Sequence, residues 1–179
     1  LAVAPALVNA GPLDEPCRPT AVCTISVEDL PAVVLSSGDY SLTTTDGNCT
    51  TLPTTGTAKL AISGRTTVQL HGPAYEGSVE LSPADCSDEA EHVLRAKPRP
   101  AKIAFRAGVP LSELVVSCVE GCPYEAQLAE RFPELPFSRE QTERIISLEF
   151  KARGYRTGQQ VIKLSPGMNL VRVNLEKID

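Results

Sequence analysis

The sequence predicts an all-β fold: two tandem small β-sandwich modules with little helix. Three observations carry this. Fifteen prolines and twelve glycines in 179 residues, among many Thr and Ser, favour strands and turns over long helices. Short apolar runs alternate with period two, the pattern of a strand with one side buried and one in water. Trp is absent and aromatics are few, so any core is built from Val, Leu, Ile and Ala and stays small. A chain of this length holds one ordinary domain or two small ones.

Taken in order, residues 1–10 are apolar and end Val-Asn-Ala, like the tail of a secretory signal. They are too few to span a bilayer. With the Pro-rich connector that follows, residues 1–20 form an N-terminal segment or linker. The first module is expected over 21–97. Its strands are Ala21 to Val27, Ala32 to Leu35, Tyr40 to Thr45, Lys59 to Ile62, Thr66 to Leu70, Ser78 to Leu81 and His92 to Ala96. Asp46-Gly47-Asn48 is a turn signal, and Cys49 to Thr57 reads as a Thr-rich loop. Lys97-Pro98-Arg99-Pro100 is the internal boundary, because prolines interrupt a strand ladder.

The second module is expected over 101–179. Lys102 to Arg106 and Leu114 to Cys118 are strands, and one helical turn is expected near Ala126 to Arg131. Phe132 to Phe137 is an apolar, Pro-bounded segment suited to covering a core or, as an exposed patch, to meeting another protein. The most regular stretch closes the chain. Ile145 to Phe150, Val161 to Leu164 and Leu170 to Leu175 are strands joined by a Gly-Tyr-Arg-Thr-Gly bend and a Ser-Pro-Gly turn.

The six cysteines are Cys17, Cys23, Cys49, Cys86, Cys118 and Cys122. An even count in small, thinly packed domains indicates disulfides and an oxidising compartment. Sequence proximity favours the pairs 17–23, 49–86 and 118–122, the last closing a tight loop in which Gly121 supplies an unusual backbone angle. Zinc is disfavoured by the cysteine spacing and by the presence of only His71 and His92. The net charge of -5 argues against a nucleic-acid partner. That charge is uneven: residues 1–100 carry 12 acidic and 6 basic side chains, and 101–179 carry 10 and 11.

The halves share a weak repeat. The stretch from Val68, VQLHGPAYEGSVELSPADC, and that from Leu148, LEFKARGYRTGQQVIKLSPGM, both run strand, bend, Tyr, strand, Leu-Ser-Pro. The second copy continues a longer pattern. Leu114 to Cys122, a Pro-containing segment, Ala152-Arg-Gly-Tyr155, Ser165-Pro-Gly167 and a strand ending Val173-Asn-Leu175 together resemble the PEGA domain family over about residues 102–177. Val119-Glu-Gly-Cys122 stands where that family has its naming Pro-Glu-Gly-Ala motif. Residues 21–97 read as a more divergent copy. The resemblance implies a small β-sandwich, often extracytoplasmic, in surface-layer and envelope proteins and in sensor-kinase ectodomains. It implies no catalytic residues.

No nucleotide loop, zinc-protease helix or nucleophile elbow is present. No catalytic, metal or cofactor residues are assigned, and no enzyme activity is expected. His71 and His92 lack a placed nucleophile and read as surface side chains. Asp85, Asp88, Glu89 and Glu91 are acidic but not spaced as a calcium loop. Asn48-Cys49-Thr50 fits a glycosylation acceptor. Arg153, Tyr155 and Arg156 form the candidate binding group: an aromatic and two cations at a bend, able to stack on a sugar or hold a carboxylate.

The expectation is a non-catalytic structural or protein-interaction module of a larger bacterial envelope or surface assembly, periplasmic or extracellular. Its expected partners are other envelope or surface proteins, or copies of itself. The alternative is a glycan- or peptide-binding ectodomain of a surface receptor or sensor kinase, with envelope glycan as ligand.

Overall fold

In a computed structural model, residues 21–87, 90–123 and 134–178 are described. Among them the chain is nearly all β, as the alternation requires. Strand β1 (Ala21–Glu28) buries Cys23, Ile25 and Val27 and turns Val22 outward. It pairs antiparallel with β4 (Thr57–Ile62) and parallel with β7 (Glu91–Arg95). Facing this sheet is a second, ordered β3-β2-β5-β6-β8. Its strands are β2 (Ser41–Thr44), β3 (Cys49–Thr51), β5 (Thr66–His71), β6 (Tyr75–Leu81) and β8 (Lys97–Pro98). Side chains from both sheets, among them Ile25, Leu42, Ile62, Leu70 and Leu94, share one buried cluster.

A separate cluster forms in the second half. Strands β9 (Ala101–Ala107) and β13 (Gly167–Val173) pair in parallel, and β10 (Val115–Glu120), β11 (Arg144–Lys151) and β12 (Gly158–Leu164) make an antiparallel sheet. Ile146, Leu148 and Phe150 of β11 pack with Ile162, Leu164, Val171 and Val173. Phe105 meets Phe150 edge-on at 5.9 Å. Leu135 plugs this core. It is fully buried, and its N–H and carbonyl both bond Ala101. Phe137 lies under the Arg144 guanidinium, 5.8 Å from ring to cation. The 126–131 helical turn lies outside the described residues.

The two halves are wired alike. In each, the first strand pairs in parallel with a strand late in that half: β1 with β7, and β9 with β13. In each, a hairpin carries the repeated sequence, β5–β6 in the first half and β11–β12 in the second.

Three local expectations are corrected. Ala32–Leu35 is a single helical turn, α1, rather than a strand. Pro31 opens it with a φ suited to a turn, and the hydroxyls of Ser36 and Ser37 close it on the carbonyls of Val33 and Val34. The Thr-rich loop contains β3, held to β2 as an edge strand. The Pro-rich boundary carries β8, limited to two residues because Pro98 has no N–H to extend the ladder.

Among the described residues the disulfides are Cys118–Cys122, as expected, and Cys23–Cys86, which overturns the pairs 17–23 and 49–86. Period-two alternation points Cys23 into the core. The turn Pro83–Asp85, fixed by reciprocal bonds between Ser82 and Asp85, then sets Cys86 above it with Cα atoms 4.8 Å apart. Gly121 has φ +80°, the left-handed angle its loop needs. Cys49 is exposed on β3 with no disulfide partner among the described residues, and Cys17 lies outside them. Substituting Cys49→Ser is therefore expected to leave both disulfides intact in a non-reducing peptide map. The same map of the native protein shows whether Cys49 carries Cys17 or an alkylating label. Loss of the 23–86 linked peptide in this variant would contradict the assignment.

Candidate functional site: a cation-lined groove at the seam

The halves meet where the β5–β6 bend touches the start of β13. A Cβ on Gly167, at φ +86°, would stand 2.3 Å from the Pro73 carbonyl oxygen, so glycine is what permits this approach. A second link is the ion pair of Arg139 with Asp29 at 3.8 Å. The bend is itself built on Tyr40. Its ring fills the space over Gly72, where a Cβ would stand 1.9 Å from a ring carbon, and its hydroxyl oxygen accepts the Ala74 N–H at 3.1 Å.

Burial pushes the phenols of Tyr40 and Tyr75 above their ordinary value of 10.0. The folded chain therefore holds these protons more tightly than the unfolded one. The stability tied to them is fully present below pH 10 and is lost as pH rises beyond it. A tyrosinate absorbance titration is expected to show a late step coincident with loss of structure by circular dichroism. Full ionisation of all four tyrosines near pH 10 in a still-folded protein would contradict this.

Beside the bend the chain leaves β7 for the opposite sheet and continues as β8. Leu94, Ala96 and Pro98 turn inward, so Arg95, Lys97 and Arg99 fall on the other side. Gly77 permits the crossing, since a Cβ there would lie 2.7 Å from the Arg95 carbonyl oxygen. The Arg99 N–H donates to the Ala74 carbonyl at 2.8 Å, which fixes the chain beneath its guanidinium.

Two hollows adjoin at Glu76 and Arg99. One, of about 440 Å³, runs over β5 and β6 past Gln69, His71 and Ser78 to Arg95 and Lys97. The other, of about 450 Å³, crosses the seam between Pro73 and Gly167, with Lys102, Glu134 and Met168 on its wall. Glu76 serves two cations, Lys97 at 3.3 Å and Arg99 at 3.8 Å. Arg95 is 3.7 Å from Glu28, and Lys102 is 2.9 Å from Glu134. The Arg99 Nε lies out of solvent and makes no hydrogen bond with the protein. A buried N–H without an acceptor is unfavourable.

The residues favoured from sequence lie elsewhere. Tyr155 is half-buried in the bend after β11 and forms a bridge with Lys177. The Arg156 N–H donates to the Glu176 carbonyl, and its side chain stands 3.8 Å from the Glu176 carboxylate. Arg153 is exposed. None of the three lines either hollow. His71 does line the first, whereas His92 is engaged at 2.9 Å with the Asp85 carbonyl.

The Asp85 carboxylate accepts from the Ser82 hydroxyl and N–H, which hold its pKa below the usual value. It is thus occupied as a cap. Asp88 and Glu89 lie outside the described residues, and among those described no three His, Cys, Asp or Glu side chains gather as a metal site. The Asn48 amide donates to the Ala61 carbonyl at 2.9 Å. No helix among the described residues is long and apolar enough to cross a membrane.

The groove cations are visible in the sequence as Leu-Arg-Ala-Lys-Pro-Arg, an alternation of core and basic residues over 94–99. Its prolines mark it first as a boundary. Compared with known protein families, curated proteins and solved structures, the chain matches none significantly.

Proposed function

We propose that the protein is a non-catalytic, extracytoplasmic interaction module of a larger bacterial envelope or surface assembly, built as two tandem β-sandwiches of PEGA-like type. The observation that carries this reading is the seam groove. It gathers basic side chains and an unsatisfied guanidinium N–H beside the junction of the two cores. A concave surface with converging charged donors suits recognition of a partner's acidic groups. Two disulfides support an oxidising compartment, periplasmic or outside the cell. The reading also rests on the PEGA resemblance over about residues 102–177.

The test is site-specific cross-linking in envelope preparations, with a photoreactive residue at Lys97 and, separately, at Arg153. The expected result is one predominant protein product from the Lys97 position. Products only from Arg153, and sensitive to glycanase, would favour a glycan receptor working through the Tyr155 bend. No product from either position would remove the interaction reading.

A further inference from the structure

Resting on that reading, we infer that the groove accepts an acidic peptide segment of the partner, with Arg99 as its anchor and Lys97 and Arg95 as flanking cations. The chain as a whole is acidic, at -5. The first hollow inverts that sign, with three cations against the single carboxylate of Glu76. Glu76 is divided between Lys97 and Arg99, and its 3.8 Å approach to Arg99 is too long for a hydrogen bond. The Arg99 Nε is therefore shielded from water and lacks an acceptor. The Arg99 side chain as a whole is 37% exposed, and its planar guanidinium fork suits a ligand carboxylate better than an ammonium does.

Three further features select a peptide. Among the described residues no Phe, Tyr or Trp lines the hollow, so these offer no flat face on which sugar rings stack. Its wall offers Gln69, His71 and Ser78, short polar groups able to bond peptide amides. The overall charge opposes the dense phosphates of nucleic acid. The second hollow continues the path across the seam, where Lys102 is held by Glu134 and can exchange that partner for a ligand carboxylate.

The test is fluorescence anisotropy with a fluorescein-labelled peptide of alternating Glu and Ser. A Gln-Ser peptide of equal length is the uncharged control, and a galacturonic acid oligomer of equal charge is the competitor. Arg99→Lys keeps the charge but removes the fork, and Lys97→Gln alters an exposed side chain outside both buried clusters. The expected result is binding of the acidic peptide alone, weakened about tenfold by each variant, the scale of losing one charge-assisted contact.

Unchanged affinity in both variants, or no binding by the native protein, would overturn the inference. Equal competition by the galacturonic acid oligomer, lost in the variants, would assign the carboxylate to a glycan and overturn the peptide. A partner cross-linked equally well by both variants would remove the acidic ligand yet leave the interaction module standing.

Discussion

Replacing Cys23 and Cys86 together by alanine is expected to lower stability by about 4 kcal/mol, or roughly 8–16 °C in melting temperature. The bond spans 63 residues, most of the first core, so cutting it frees a large loop in the unfolded chain. It also ties β1 to the turn after β6, and Cys23 is completely buried. Alanine is therefore the apt replacement, because serine would add a buried hydroxyl. The bond between Cys118 and Cys122 closes a separation of only 4 residues, and removing it is expected to cost about half as much on the same loop-entropy basis. Thermal and urea melts of the two double variants beside the native protein check this. A first-core variant melting within about 2 °C of the native protein would contradict the role assigned to the bond, since that shift is under 1 kcal/mol for a chain of this size.

Phe150→Ala is expected to destabilise the second core by about 3–5 kcal/mol, the usual effect of emptying a buried aromatic site. Phe150 is 1% exposed and holds Phe105 edge-on in a cluster otherwise made mostly of aliphatic side chains. The Phe105 ring would lose its edge-on partner and could fill the space only by leaving its own place on β9. The two buried clusters share no residues, so the loss is expected to be local. Hydrogen exchange should quicken over β9 to β13 while β1, β4 and β5 keep their protection. Equal loss in both halves would show one cooperative core instead of two.

Much of this architecture is legible because β alternation is a local signal. Ile146, Leu148 and Phe150 fall at every second position, and β11 buries all three as that spacing demands, with Ser147 buried between them. Where local signals compete, the reading fails. Ala32 to Leu35 is apolar enough for a strand, yet Pro31 and the two following serines satisfy its backbone as a turn. Disulfide pairing is a property of the folded chain rather than of sequence distance. Cys86 reaches Cys23 across 63 residues because the Ser82–Asp85 turn carries it there.

The groove was obscured for the same reason. Arg95, Lys97 and Arg99 become one surface only when β8 docks on β6, and Gly167 meets Pro73 only when the halves are assembled. The Arg153–Tyr155–Arg156 bend is conspicuous because it sets an aromatic beside two cations, whereas Arg95, Lys97 and Arg99 alternate with core residues and Pro98. The bend's backbone is taken up by the C-terminal segment.

The most direct measurement of the central claim is hydrogen exchange of the full chain with and without its cross-linked partner. The account predicts slowed exchange over residues 69–78 and 95–99, the walls of the seam groove, with little change over 153–163. Protection confined to 153–163, with the groove unaltered, would contradict it.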